Sequence, residues 1–144
     1  MKISTRGRYG VRLLIDLAEH VDEPHVALAS IAERQNISVH YLEQVAAMLR
    51  RGGYIRSVKG ASGGYALSGD PKTILIGDVL RVLEGDILIA DPLPSGTMEN
   101  PLRSCLRRSV YNPLNERIAG FLDGITLASA IGTVDPDESY MYFI

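Results

Sequence analysis

A chain of 144 residues, 46% of them apolar, has enough hydrophobic side chains for one compact core with a small extension, which excludes a wholly disordered chain. Its formal net charge of -2 excludes a uniformly basic nucleic-acid binder, but the charge is unevenly spread: residues 1–84 hold eleven basic and nine acidic side chains, residues 85–144 four and eight. A single cysteine, Cys105, rules out an internal disulfide framework, and no run approaches the roughly 18 to 20 apolar residues of a membrane span, so a soluble cytoplasmic protein is expected.

The opening "MKISTRGRYG" has no apolar stretch of signal-peptide length. Ser4 or Thr5 is placed to cap a first helix running to about Glu19, with Val11, Leu14, Ile15 and Ala18 on one apolar face. "ALASIAERQ" predicts a short second helix with Leu28, Ile31 and Ala32 inward, closed by Gln35 and Asn36. Ser38 is the N-cap of a third, "VHYLEQVAAMLRRG", buried through Leu42, Val45, Ala46 and Leu49 and stopped by Gly52 and Gly53. The period then drops to that of a strand: "YIRSV", the turn "KGASGG" and "YAL" read as a hairpin. A fourth helix spans about Ile76 to Leu83.

Three helices followed by a hairpin define a mainly α winged helix-turn-helix fold with a small β-hairpin. Residues 1–85 form this DNA-binding domain, and the stretch 86–101, which holds Pro92, Pro94, Gly96 and Pro101, is a loop or linker. Residues 102–134 form a long helix and a short one after it, and 135–144 a tail expected to dock. Leu106, Val110, Leu114, Ile118, Phe121 and Leu122 recur along the long helix as a dimerisation face, which Pro113 must kink or divide into two helices.

Between Arg50 and Lys59 stand four cations, Arg50, Arg51, Arg56 and Lys59, and no acid, a local positive edge on a near-neutral chain. A helix entering a major groove presents short polar side chains near its N-terminus, where Ser38, His40, Tyr41, Glu43 and Gln44 lie. Glu43 suits a cytosine amino group and Gln44 an adenine, although Glu43 also reads as a solvated face and Tyr41 as a core residue. Lys59 beside Gly60, Ser62, Gly63 and Gly64 suits a wing that enters a minor groove or neutralises phosphates, or else a plain hairpin turn. Ser4, Thr5, Arg6 and Arg8 flank the other side as backbone clamps. Enzymatic constellations are missing: His20, His25 and His40 lack clustered acids or thiols, and the glycines of "GASGG" do not open a helix.

The segments "MKISTRGRYG", "SIAERQNISVHYLEQV", "LRRGGYIRSVKGASGGYAL", "IGDVLRVLEG" and "CLRRSVYNPLNERIAGFLDGITLASA" together resemble the bacterial regulator family that includes the iron-sulfur cluster regulator IscR and the cysteine-metabolism repressor CymR. The end "YMYFI" is similar to the tail of the cysteine-metabolism members. The resemblance implies a homodimeric transcription factor, often a repressor, on a palindromic operator. By position it assigns Ser38, Tyr41 and Glu43 to the recognition helix, Arg6 and Tyr9 to an N-terminal contact segment, and Lys59 through Gly64 to the wing. Lys59 stands where many members carry arginine, which keeps the charge and loses the planar fork.

Cluster-binding relatives use three cysteines and a further ligand. The resemblance puts Cys105 at the third, Glu99 and Leu93 at the other two, and Arg108 at the further ligand, so no iron-sulfur cluster and no other cofactor is expected. Cys105 is read as a small core or interface residue, with a redox role as the alternative because Arg103 and Arg107 stand near it. For the cysteine-metabolism members the resemblance further implies a partner enzyme, O-acetylserine thiol-lyase. The competing function is a winged-helix protein-interaction module that senses a metabolic enzyme without reading an operator.

Overall fold

The computed structural model describes residues 2–132; the expected docked tail, 135–144, lies outside them. Helix α1 (Thr5–Glu19) starts at Ser4, whose hydroxyl accepts from the Gly7 amide, so the serine rather than the threonine is the cap. Helix α2 (Leu28–Gln35) closes on Asn36 in the left-handed region at φ 53°, where its N–H meets the Ala32 and Glu33 carbonyls. Two residues later Ser38 caps α3 (Val39–Arg51) by accepting from the Tyr41 amide at 3.2 Å. Asn36, Ile37 and Ser38 are therefore the turn of the helix-turn-helix.

Strands β1 (Ile55–Val58) and β2 (Gly64–Leu67) pair antiparallel, with Ile55 opposite Leu67 and Val58 opposite Gly64. Val26, between α1 and α2, pairs with Tyr65 through two reciprocal 2.8 Å bonds and so covers the outer edge of β2. Helix α4 (Ile76–Glu84) completes the head.

The core is drawn from every helix of the head: Leu13, Leu14 and Leu17 from α1, Ile31 from α2, Leu42, Val45 and Leu49 from α3, and Val79, Leu80 and Leu83 from α4. On α1 the buried arc is wider than its predicted stripe and rotated from it. Leu13 and Leu17 are fully enclosed, whereas Val11 and Ile15 are half-buried, because α1 touches α2, α3 and α4 on different sides. Asp16 lies within this arc at 1% exposure.

After the irregular stretch 86–100, Asn100 caps α5 (Pro101–Leu106). The helix continues through a π-helical turn (Arg107–Tyr111) into α6 (Asn112–Asp123). The anticipated break at Pro113 takes this form because proline lacks the amide that would bond four residues back. The Asn112 N–H reaches instead to the Arg107 carbonyl, five residues back, and the wider turn absorbs the defect.

The far end of this helix returns to the head. Arg81 on α4 bridges Asp123 at 2.8 Å, and the Ile76 amide donates to the Ile125 carbonyl at 2.9 Å. In helix α7 (Leu127–Ile131) Leu127 is 0% exposed within the head's own core. Leu122, expected on the dimerisation face, packs against that core as well.

Candidate nucleic-acid interface

On α3, Ser38, His40, Glu43 and Gln44 are exposed in the first two turns. The Gln44 amide nitrogen lies 3.3 Å from His40 Nε2, within hydrogen-bond reach, and Glu43 stands beside the same ring at 4.0 Å from His40 Nδ1, so the three polar side chains cluster on one part of the helix surface. Such a group at a helix N-terminus offers both donors and acceptors to base edges, and the helix dipole there favours a phosphate. Tyr41 is half-buried and meets Tyr9 of α1 edge-on, ring centroids 5.5 Å apart at 84°. Its ring therefore takes part in joining two helices.

Arg6 and Arg8 project from the first turns of α1, with Arg8 donating to the Thr5 hydroxyl at 3.2 Å. Ser4 is engaged internally: besides capping α1 it donates to Glu84 from its hydroxyl at 2.5 Å and from its amide at 3.1 Å, fastening the start of α1 to the end of α4.

The wing's glycines have different causes. Gly60, at φ 128°, needs the freedom only glycine has, and Lys59 and Ser62 are exposed around it. At Gly64 a Cβ would stand 2.2 Å from the Val26 carbonyl oxygen, so the bridge between Val26 and Tyr65 demands glycine there. The His25 ring also bonds the Ser62 carbonyl, tying the wing tip to the segment before α2.

Arg50 and Arg51 are exposed in the last turn of α3, the end opposite Ser38, where the helix dipole already favours cations. The positive edge read along the chain is thus divided between the recognition helix's far end and the wing.

Behind the interface lies a polar network that the residue-by-residue reading missed. Arg34 holds Asp16 with two bonds, 2.6 and 3.1 Å, and the Gln35 amide adds a third at 2.9 Å. Burial pushes the Asp16 carboxyl up, but the donors from Arg34 and Gln35 and the charges of Arg34 and His20 outweigh it, holding the group below the usual aspartate range. The signal was present in the sequence: a charge inside the apolar run "LLIDLA" needs a partner, and "ERQ" closes the next helix.

In the region the resemblance aligns with a cluster, Arg107 donates to both Glu99 oxygens at 3.0 to 3.2 Å and to the Asp91 carbonyl at 2.8 Å. Glu99 is thereby committed to a cation, Leu93 has no donor, Arg108 is itself a cation, and Cys105 is exposed rather than in a core, 3.9 Å from the Ser109 hydroxyl. Among the described residues no three of His, Cys, Asp and Glu converge on one point. This donor set does not fit an iron-sulfur cluster or an iron ion.

A capped recognition helix, a turn of three residues before it and a hairpin carrying an exposed lysine make this a winged helix-turn-helix protein of the transcriptional-regulator class. A family model described as Rrf2, iron-dependent transcriptional regulator, matches residues 3–133, and the chain belongs to that family. It is 39% identical to the HTH-type transcriptional regulator CymR of Bacillus subtilis (strain 168), over the full length of both chains. It is 38% identical to the HTH-type transcriptional regulator IscR of Serratia proteamaculans (strain 568), over 94% of this chain and 82% of the relative. The solved structure of CymR, the global cysteine regulator of B. subtilis, superposes with a TM-score of 0.80 at 38% identity, covering 94% of this chain and 99% of that one. These relatives are regulators, and the chain is a regulator and not an enzyme.

Proposed function

We propose that the chain acts in the cytoplasm as a homodimeric repressor that binds a palindromic operator in double-stranded DNA, and that it governs genes of cysteine or sulfur metabolism. The observation that carries the reading is the first half of α3: a capped N-terminus with His40 and Glu43 side chains 85% and 60% exposed, held off the core by the buried stripe Leu42, Val45, Ala46 and Leu49. Glu43 and Gln44 select the bases, Ser38, His40 and the Tyr41 hydroxyl hold the backbone, and Arg6, Arg8 and Lys59 neutralise phosphates on either side. Thr5 and Tyr9 complete the α1 side, Gly60, Ser62, Gly63 and Gly64 shape the wing, and Arg50 and Arg51 strengthen the non-specific field.

Dimerisation is supported by the long helix, where Leu106, Val110, Leu114 and Phe121 are exposed and Ile118 is half-buried. Two copies joined there present two recognition helices, for half-sites about 34 Å apart. The sulfur assignment rests on similarity to the B. subtilis cysteine regulator. O-acetylserine thiol-lyase, carried by the likeness of the end "YMYFI", is its proposed partner.

The test is selection of genomic fragments by the purified protein at physiological salt, with and without that enzyme. A shared palindrome near sulfur genes, bound more tightly with the enzyme, is expected. Glu43→Ala should change which sequences are recovered, whereas Lys59→Ala should weaken all of them and reduce the salt dependence by about one phosphate contact. A palindrome indifferent to the enzyme removes the partner, and no enrichment over random DNA favours the interaction module.

A further inference from the structure

We infer that Arg12 is a positioning residue for the recognition helix, a reading that rests on the DNA-binding function proposed above. Arg12 stands one turn after Tyr9 and one turn before Asp16 on α1, the spacing that puts all three on one side of a helix. Its Nε donates to the Gln35 side-chain oxygen at 3.1 Å and a second N–H donates to the Gln35 backbone carbonyl, at the C-terminal end of α2 where a cation is favoured. The other end of the same Gln35 amide donates to Asp16. Gln35 is thereby held at both ends by α1, immediately before the turn that leads to Ser38.

The Arg12 guanidinium also lies over the Tyr9 ring, 5.4 Å from its centroid, and Tyr9 meets Tyr41 edge-on. One side chain therefore braces α3 by two routes, through the turn that precedes its cap and through the ring of its third residue. Only a planar fork can bond Gln35 in two places while its face covers an aromatic ring; a lysine keeps the charge but, as a single point donor, cannot hold Gln35 and cover the Tyr9 ring at once. Loosening either route leaves α3 folded on its buried leucines but widens the range of angles at which Glu43 and Gln44 meet the groove.

An exposed cation near a DNA-binding face has a second role open to it, a direct phosphate contact, and the two roles respond oppositely to lysine. The experiment compares Arg12→Lys and Arg12→Met with the wild-type protein on the selected operator and on random DNA, over a range of salt concentrations, and follows the Tyr9 and Tyr41 ring signals by NMR. Positioning predicts that both variants lose about tenfold in operator affinity. Binding to random DNA and the salt slope stay near wild type, and the ring signals shift in both. Recovery of full affinity by Arg12→Lys, with Arg12→Met losing operator and random DNA alike and about one unit of salt slope, would make Arg12 a phosphate contact and overturn the inference. Variants indistinguishable from a wild-type protein that does select a sequence overturn it alone; a wild-type protein that selects none overturns the functional reading with it.

Discussion

Leu13, Leu42 and Leu49 in the head are all 0% exposed, whereas Leu102 and Phe121 on the long helix are 70% and 71% exposed. Both regions are helical with apolar residues at helical spacing, and both start from side-chain caps, Ser4 and Ser38 in one and Asn100 in the other. They differ in what surrounds them. The head's helices enclose one another around α1, and α7 adds Leu127 to the same core. From Pro101 to Asp123 no residue is fully buried, and although Leu122 packs against the head's core, Leu102, Leu106, Val110, Leu114 and Phe121 stay exposed, with spacing but no covering surface among the described residues. Amphipathic spacing therefore says that a face will be covered, not which chain covers it.

The comparison can be broken hardest in the head. Leu42→Ala removes an enclosed side chain and should cost about 3 kcal/mol of unfolding free energy, read by urea denaturation at fixed protein concentration. A cost under about 1 kcal/mol would show that the site collapses freely and that the head is not closed as described.

Next comes Asp16, the charged group within that core. Its carboxyl titrates lower folded than unfolded, so its contribution is complete above the unfolded value near pH 3.9 and is lost as pH falls through the folded value. Asp16→Asn should cost about 2 kcal/mol at neutral pH, with the gap to wild type narrowing below about pH 4. A gap unchanged between pH 7 and the acid range would mean that the Arg34 and Gln35 bonds do not depend on the charge.

The smallest effect on stability is expected on the long helix. Leu114→Ser combined with Phe121→Ser should change the head's unfolding by no more than about 0.5 kcal/mol at concentrations where the chain is monomeric, because neither side chain touches the head's core. The same pair should shift the sedimenting species from dimer to monomer. A chain that stays dimeric with both serines in place would move the dimer contact off this face.

Much of the head was legible because its signals are local. Ser38 before an apolar period, Gly52 and Gly53 after it, and a change to strand alternation each act within a few residues, and the structure carries α3, the hairpin and α4 close to where those signals put them. The recognition helix's exposed group, His40, Glu43 and Gln44, was legible for the same reason. The brace behind it was not, since Arg12, Gln35, Tyr9 and Tyr41 are distant along the chain and nothing local distinguishes Arg12 from a solvated surface arginine.

What the sequence determined by itself, then, is the order of the helices, the hairpin, the caps and the polar face of α3, because propensity, capping and periodicity are properties of short stretches. Only the tertiary structure decided that Gly64 serves the Val26 bridge, that Glu99 is matched to Arg107, that Asp16 is held by α2 and that Leu127 returns to the core. Each of those depends on two segments meeting in space, and the free energy that favours the meeting comes from burying a core which no single stretch contains.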